Sequence, residues 1–311
     1  MTSAEQRVRY RNVVFDSGRW DGFRFRDDDI VLSTPPKSGT TLTQMICALL
    51  ILQDPARITS IDEFSPWLDM QTRPLDAVLA RLESQSHRRV IKTHTPLDGL
   101  PWDDRVTYLC VARDPRDVAL SWEHHVANID MDAFLAARAR SVGLDDLPEL
   151  MPGGPPSPAA DPVERFWAWV DEPNTGGHPP SLPSVLHHLA TFWAVRDRPN
   201  VVLAHFEDLT ADLPGQMRRL ARALQIDVRE PRWPELVAAA RFDAMKARAD
   251  TLAPEVSNST WKSNAEFFHR GTSGQWHELL DEDGHRRYTA RALELAPPDL
   301  LDWAHGASPW R

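Results

Sequence analysis

A lysine, a glycine and several hydroxyl side chains stand together in the run Pro36-Lys37-Ser38-Gly39-Thr40-Thr41. The run lies between an apolar segment at 29–33 and apolar residues at helical spacing from 41 to 52, which predicts a strand, a tight turn and a helix. Backbone N–H groups at a helix N-terminus bind anions, and Gly39 lets a ligand approach the backbone closely. The run therefore predicts a phosphate-binding loop, although an ordinary turn before a capped helix uses the same residue types. It is not a Walker loop, because Thr40 stands where that motif has its lysine.

Further chemistry-bearing residues follow other apolar runs. His94 comes directly after 89–93, and Arg113 follows 106–111. Ligands of open α/β sheets bind at the carboxyl ends of the strands, so both residues are predicted to lie at that edge. An imidazole can accept a proton near neutral pH, which makes His94 a candidate general base. On its own, a histidine that ends a strand is more often structural.

The order of these segments indicates an α/β fold. Short β-branched runs at 29–33, 89–93, 106–111 and 200–204 have the length of buried parallel strands, and each precedes helix-like sequence. We predict a doubly wound parallel sheet flanked by helices, including those at 41–52, 115–128 and 213–225, with a P-loop-like phosphate-binding core. A single domain spanning 1–311 is expected.

A proline-rich insertion is predicted at 148–183, which contains ten of the chain's 26 prolines. It is interrupted by Val163 to Val170, where Phe166, Trp167 and Trp169 suggest a short aromatic helix. We interpret the insertion as a lid over a site, with a passive surface loop as the alternative.

Composition excludes several classes of protein. The formal net charge is −10, with 35 basic and 45 acidic side chains, which argues against a nucleic-acid binder. The chain has two cysteines, Cys47 and Cys110, and both lie in apolar runs and are predicted to be buried, reduced thiols. With neither an export signal nor a membrane span in the sequence, a cytoplasmic protein without a membrane partner is expected. The pairs His124-His125 and His187-His188 are not predicted to bind a metal, since adjacent histidines on a helix point in different directions.

The motifs together resemble the signatures of cytosolic-type sulfotransferases that use 3′-phosphoadenosine 5′-phosphosulfate (PAPS). The similarity covers Ile30 to Trp276, apart from the insertion. Four signatures occur in the family's order: Pro36-Lys37-Ser38-Gly39-Thr40-Thr41; Lys92-Thr93-His94-Thr95-Pro96; Arg113-Asp114-Pro115-Arg116-Asp117-Val118-Ala119-Leu120-Ser121; and Arg270-Gly271-Thr272-Ser273-Gly274-Gln275-Trp276.

The resemblance implies a role for each matched residue. His94, Lys37 and Lys92 are the expected catalytic residues, while Arg116 and Asp117 are expected to be structural. Phe64, Trp67 and Trp122 are expected to line the acceptor pocket. The expected donor-binding residues are Lys37, Ser38, Gly39, Thr40, Thr41, Leu42, Arg113, Ser121, Phe206, Phe242, His269, Arg270 and Gly271.

The chain also departs from the family pattern. Leu42 stands where many relatives have a tryptophan that stacks on adenine, and Phe206 replaces a tyrosine. His269 replaces an arginine, so that the expected phosphate site has one fixed cation fewer unless this histidine is protonated. The family's usual dimer motif is absent after Trp276, which leaves the oligomeric state open.

The activity implied is transfer of a sulfuryl group from PAPS to a hydroxyl, or less readily an amine, of a small and largely apolar acceptor. The product nucleotide would be adenosine 3′,5′-bisphosphate (PAP), and no metal is expected to be required. Two alternatives stay open at this stage: a non-catalytic protein that binds PAP or PAPS, and a P-loop kinase.

Overall fold

A computed structural model describes residues 7–152, 159–173, 179–306 and 310. Its centre is a four-stranded parallel sheet with the strand order β2-β1-β3-β4. Ile30 pairs with Val90 on one side and Thr107 on the other, and Tyr108 pairs with Val201. The predicted doubly wound parallel sheet is therefore confirmed. The strands are β1 (Ile30–Ser33), β2 (Val90–Thr93), β3 (Thr107–Ala112) and β4 (Val201–His205).

Helices cover both faces of the sheet, and none in the described ranges has the length and apolar character needed to traverse a bilayer. They are α1 (Thr40–Leu52), α2 (Ile61–Phe64), α3 (Leu75–Ser84), α4 (Pro115–Asn128), α5 (Met131–Ser141), α6 (Leu147–Leu150), α7 (Pro162–Asp171), α8 (Leu182–Trp193), α9 (Phe206–Ala211), α10 (Leu213–Ala223), α11 (Trp233–Ala240), α12 (Phe242–Lys246), α13 (Ala249–Leu252), α14 (Asn264–Phe267), α15 (Glu282–Leu295) and α16 (Pro298–His305).

The helices that matter for the site begin where the sequence predicts. Pro115 is the first residue of α4, and the Asp114 carboxylate accepts a hydrogen bond from the Arg116 backbone N–H. Proline at the first helical position and aspartate at the N-cap are both typical of helix starts. α1 begins after Gly39, which adopts a left-handed conformation.

Side chains of the strands alternate between two apolar layers. Ile30 and Leu32 pack with α1 and α11 on one face, while Val31 and Tyr108 pack with α8 and α16 on the other. This alternation is the period of two expected of a strand whose two faces are both covered. Both layers keep the sheet rigid and leave its carboxyl edge for a site.

Part of the proline-rich segment is built into the core. Phe166 and Val170 of α7 are fully buried in the layer that contains α8. Arg165 on the same helix donates to the Glu123 carboxylate on α4 over 3.1 Å. The stretches 153–158 and 174–178 of the predicted insertion lie outside the described residues.

A buried ion pair joins the starts of the two strands on one side of the sheet. Arg89 precedes β2 and Asp29 precedes β1, and Arg89 Nε donates to Asp29 Oδ1 over 2.8 Å while its Nη2 contacts Oδ2. Neither side chain is more than 1% exposed. Removing one member of such a pair leaves an uncompensated buried charge.

We expect Arg89→Met to lower the free energy of unfolding by about 3–5 kcal/mol, because the Asp29 carboxylate would stay buried without its partner. Urea denaturation followed by circular dichroism measures the loss. The control Arg105→Met removes an exposed guanidinium paired with Asp103, where water screens the attraction, and should leave the urea midpoint unchanged. Equal losses in the two variants would contradict the role assigned to Arg89.

Candidate active site

A cavity of about 500 Å³ opens at the carboxyl edge of the sheet. Residues that follow each of the four strands contribute to it, in agreement with the position of ligand sites in open α/β sheets. Its wall contains all but two of the predicted site residues. These are Lys37, Gly39, Thr40, Thr41, Leu42, Trp67, Lys92, His94, Arg113, Ser121, Trp122, Phe206, Phe242, His269, Arg270 and Gly271.

The two exceptions are Phe64 and Ser38. Phe64 is 4% exposed, belongs to the core layer that contains α1, and stacks on the His87 ring with the centroids 4.9 Å apart. The expectation that Phe64 lines the acceptor pocket is therefore wrong, because its ring is directed into the core. The Ser38 side chain is fully buried beneath the loop, and its Oγ has no hydrogen-bond partner among the described residues.

The loop after β1 depends on glycine at one position. Gly39 has φ of 93°, in the left-handed region that favours glycine, and it is the N-cap of α1. A Cβ at this position would also lie 2.7 Å from the Phe206 ring, which packs against the loop. The hydroxyl oxygens of Thr34 and Thr40 are 2.6 Å apart, which ties the loop to the end of β1. The first turn of α1 thus presents its N–H groups to the cavity.

Lys37 belongs to the same loop and has φ of 68°. Its Nζ lies 3.3 Å from Nδ1 of His125 on α4 and 5.0 Å from the centroid of the Phe267 ring. Burial, together with the charges of Arg113 and Lys92, lowers the pKa of Lys37 to about 7. The side chain is therefore an ammonium that loses its proton readily unless an anion is nearby.

His94 is held by the backbone at the end of β1. Its Nδ1 is 2.7 Å from the carbonyl oxygen of Thr34. A carbonyl oxygen can only accept, so Nδ1 carries a proton and the lone pair of the neutral ring resides on Nε2. The Trp67 ring meets the imidazole edge to face at 4.7 Å.

Lys92 also contacts this tryptophan, with its Nζ 4.0 Å from the centroid of the Trp67 ring. Burial lowers the pKa of Lys92, and the carboxylates of Asp62 and Glu255 oppose that shift. Glu255 is itself in the cavity wall and is bound by Arg73 and Thr72, at 2.8 Å and 2.7 Å.

Arg113 bridges two loops. Its Nη1 donates to the carbonyl oxygen of Lys37 and its Nη2 to that of Thr272, both over 3.0 Å. The guanidinium stacks 4.7 Å above the Phe206 ring, and its buried Nε has no hydrogen-bond partner among the described residues. Burial lowers the pKa of Arg113, and the carboxylates of Asp117, Asp114 and Glu207 oppose that shift.

Asp117, one turn along α4, holds the same C-terminal segment. Its carboxylate accepts hydrogen bonds from the backbone N–H groups of Gly274 and Gln275, at 2.7 Å and 3.1 Å. Arg116 is fully buried, pairs with Asp114 over 2.7 Å, and lies 3.5 Å over the Trp276 ring. These two residues are not in the cavity wall, in keeping with the structural roles expected of them.

Phenyl rings bound one end of the cavity. Phe242 packs on Gly271, where a Cβ would lie 2.5 Å from the ring, and Gly271 has φ of 67°. Phe206 and Leu42 complete this apolar patch beside the phosphate loop. Arg270 lies at the rim, with Nη1 3.5 Å from Oε1 of Gln275.

Aromatic residues also line another part of the cavity wall, which we call the aromatic end. Most of them lie outside the sequence motifs. Backbone pairing explains how they come together: the Asp130 N–H donates to Thr260 and the Lys262 N–H to Asn128, both over 2.8 Å. This pairing brings the end of α4 against the segment before α14. The residues missed from sequence at this end include Phe15, Met70, Ile129, Phe134, Glu255, Trp261 and Phe267.

Part of the cavity wall comes from the segment 260–271. Trp261, Phe267 and His269 lie in this wall, whereas none of the residues described within 148–183 does. The lid predicted in that range stays a prediction, since part of it falls outside the described ranges.

The sequence suggests a role for His125 only as a possible metal ligand. In the structure, its Nδ1 lies 3.3 Å from Lys37 Nζ.

One acidic cluster is present near the site. Carboxylate oxygens of Asp114, Asp117 and Glu207 lie within 4.8 Å of one another. The carboxylates of Asp114 and Asp117 already accept hydrogen bonds from Arg116 and from the backbone of Gly274, respectively. These hydrogen bonds explain why the carboxylates of Asp114 and Asp117 can be buried without a metal ion.

The chain matches known proteins over most of its length. A family model described as a sulfotransferase domain matches residues 27–294. A glycolipid sulfotransferase of Mycobacterium bovis is 42% identical, over 96% of this chain and 94% of the relative. Human sulfotransferase 1E1 is 26% identical, over 86% of this chain and 83% of that protein.

Solved structures show the same fold at lower identity. Retinol dehydratase in complex with androsterone and the inactive cofactor PAP has a TM-score of 0.67 and 21% identity, over 91% of this chain and 86% of that one. Mouse sulfotransferase SULT7A1 complexed with PAP has a TM-score of 0.63 and 18% identity, over 91% and 89%. Since the family model spans most of the chain and the M. bovis relative matches it almost end to end, this protein belongs to the sulfotransferase family and is a sulfotransferase.

Proposed function

We propose that this enzyme transfers the sulfuryl group of PAPS to a hydroxyl of a small, largely apolar acceptor, with His94 as the general base. The observation that carries the proposal is the meeting of His94 with Lys37 and Lys92 in one cavity, between an anion-binding loop and an aromatic wall. An oriented base and fixed cations are what an in-line transfer between oxygens requires.

The residues present fit a nucleotide with phosphate groups. The N–H groups of the first turn of α1 and the buried Nε of Arg113 supply donors without partners in the described structure. The Ser38 hydroxyl, likewise unpartnered, lies behind the same loop. Phe206 and Phe242 offer apolar faces for a base, and stacking contributes roughly 1–3 kcal/mol per base. Sulfotransferase-fold structures that contain PAP support the same choice of donor.

Charge changes during the transfer explain the two lysines. The acceptor hydroxyl gives its proton to His94 Nε2 as its oxygen bonds to sulfur, and the bond from sulfur to the donor phosphate oxygen breaks with its electron pair leaving on PAP. Lys37, beside the loop, is placed to meet the charge that develops on that phosphate. Lys92, held between the Trp67 face and the acids Asp62 and Glu255, faces the same region. We assign no step to a metal.

The aromatic end indicates the character of the acceptor. Phe134 and Trp261 present large apolar surfaces there, and apolar walls with few polar groups are typical of small-molecule sites. The M. bovis relative is named for glycolipid acceptors. We therefore propose a hydroxyl on a molecule with a substantial apolar part, and a glycolipid is the first class to test.

The two alternatives from the sequence are disfavoured. The family match replaces the kinase interpretation, in agreement with Thr40 at the position of the Walker lysine. A protein that only binds PAP would not need a histidine whose Nδ1 is anchored so that Nε2 is basic. A sulfotransferase and a protein that only binds PAP predict different effects of replacing His94.

We expect His94→Gln to reduce turnover about 10²- to 10⁴-fold, the usual contribution of a general base, while PAP binding stays near normal. Turnover is measured by transfer of labelled sulfate from PAPS to a hydroxylated acceptor, and PAP binding by calorimetry. His87→Gln, a histidine outside the cavity wall, is the matched control. Unchanged turnover in His94→Gln would remove the general-base assignment.

Arg113→Ala should show the opposite pattern, with PAP binding weakened about 10- to 150-fold, because hydrogen bonds to charged groups contribute about 1.5–3 kcal/mol each. Calorimetric titration with PAP measures this, and thermal denaturation checks that the bridge between the Lys37 and Thr272 loops is not required for folding. Normal PAP affinity in a folded Arg113→Ala variant would exclude Arg113 from the phosphate site.

PAP affinity is expected to fall as the pH rises from 7 to 9. The pKa of Lys37 is about 7 in the free enzyme, so its ammonium is lost above that pH, whereas a bound phosphate favours the charged form. The phosphate groups themselves are fully ionised in this range. Binding should therefore take up a proton at pH 8, seen by calorimetry in buffers of different ionisation enthalpy. Lys37→Met should remove about one proton of uptake, and an unchanged uptake would refute the assignment.

Trp261→Ala should raise the KM for an apolar acceptor roughly tenfold or more, since a buried aromatic side chain contributes about 1.5–3 kcal/mol, and should leave PAP affinity unchanged. Steady-state kinetics and PAP titration separate the two effects. Trp102→Ala is the control, because Trp102 is 42% exposed and outside the cavity wall. A loss of PAP affinity equal to the rise in KM would place Trp261 at the donor end instead.

A further inference from the structure

Two histidines from distant parts of the chain face each other at the rim of the cavity. His124 lies on α4, one turn beyond Ser121, and His269 directly precedes Arg270. Their rings are stacked with the centroids 3.8 Å apart and the planes 24° apart. Both belong to the cavity wall. His269 is among the expected donor-binding residues, whereas His124 is outside every motif and has no role in the reaction described above.

The surroundings of this pair are rich in positive charge. Arg270 follows His269, and Lys246 of α12 donates from Nζ to the His269 carbonyl oxygen over 3.4 Å. The opposing acid is Glu266, whose carboxylate is 3.9 Å from His269 Nδ1 and largely exposed. Glu123, the acidic neighbour on α4, is engaged by Arg165 at 3.1 Å.

His269 lacks the contacts that would keep it charged in the free enzyme. Burial, then the neighbouring His124 and Arg270, lower the pKa of His269, and its buried Nε2 has no hydrogen-bond partner among the described residues. Two imidazoles in van der Waals contact repel each other if both are charged. An anion that comes close to the pair would favour a proton on His269.

A nucleotide such as PAP carries two phosphate groups on different carbons of one ribose. The amides at the start of α1 can hold one of them, and the other must find its cations elsewhere in the same cavity. Arg270 and the histidine pair belong to the same cavity wall. Arg270 and His269 lie on the segment that Arg113 links to the Lys37 loop and that Asp117 fastens to α4, which carries His124.

We propose that His124 and His269 together bind the second phosphate of the nucleotide and take up a proton when it arrives. The inference rests on the proposed use of PAPS and PAP. Protonation would restore, only in the complex, the cation that the family's arginine supplies permanently at position 269. His124 is thus a further binding residue, and its ring also shields the proton on its neighbour from water.

The sign of the pH effect follows from the order of the steps. Burial, then His124 and Arg270, lower the pKa of His269 in the free enzyme, and a bound phosphate favours the protonated ring, so affinity gained through this proton is present at low pH and lost as the pH rises through neutrality. Near pH 6.5, Lys37 is already mostly charged and contributes little further uptake. The other two histidines of the cavity wall, His94 and His125, are kept intact in the test.

The test compares proton uptake by calorimetry at pH 6.5, in buffers of different ionisation enthalpy, for wild type, His124→Gln and His269→Gln. Glutamine keeps a hydrogen-bonding side chain but cannot titrate. Each variant should bind PAP about three- to tenfold more weakly at pH 6.5, match wild type at pH 8.5, and take up less proton on binding. A merely structural role would weaken binding equally at both pH values. His277→Gln, outside the cavity wall, is the control.

Ligands with one phosphate identify the group that the pair contacts. Adenosine 3′-phosphate and adenosine 5′-phosphate are titrated into the same proteins, and only one of them should be sensitive to His124→Gln. Proton uptake that is identical in wild type and both variants would overturn the inference. Failure of wild type to bind PAP at all would instead overturn the proposed donor, so the two failures are distinguishable.

Discussion

The guanidinium of Arg113 joins the two segments that make the donor end of the cavity. One of its nitrogens binds the carbonyl oxygen of Lys37, in the loop after β1, and another binds that of Thr272, far along the chain. Burying a guanidinium is unfavourable unless its donors are satisfied, and here neutral carbonyls satisfy only part of its capacity. The carboxylates of Asp117, Asp114 and Glu207 favour its charge, and its buried Nε has no hydrogen-bond partner among the described residues. The position of both segments therefore depends on a buried cation that keeps one donor unpaired.

The same principle extends across the cavity. Lys37 lies near Arg113 and Lys92, and His269 lies near Arg270 and His124, so each group raises the cost of charging its neighbours. Such clusters destabilise the free protein slightly and favour whatever anion neutralises them. At Lys92, the acids Asp62 and Glu255 offset the cost of charging a buried ammonium. In the proposed reaction, binding energy and catalytic charge would come from one set of side chains.

The aromatic end of the cavity contributes apolar surface and shape rather than charge. Trp67 contacts both His94 and Lys92, with its ring 4.7 Å from the imidazole and 4.0 Å from the ammonium. Apolar surface beside charged groups lowers the local dielectric constant, in which electrostatic interactions are stronger. The wall is completed by side chains from the segment 260–268, which pairs with the end of α4.

Local chemistry by itself determined the parallel sheet, the loop at Gly39 and the residues that follow each strand. β-branched runs, a positive-φ glycine and a proline after an N-cap act over a few residues. Their structural effects can therefore be predicted from each short segment of the sequence. Only the tertiary structure decided which aromatic rings face the cavity. Phe64 packs into the core although its loop resembles an acceptor loop, and Trp261 reaches the cavity wall beside Ile129, with which its backbone pairs from more than a hundred residues away. The contact of His124 with His269 belongs to the same class, because a ring stack between distant segments depends on how helices pack and leaves no periodic signal in either segment.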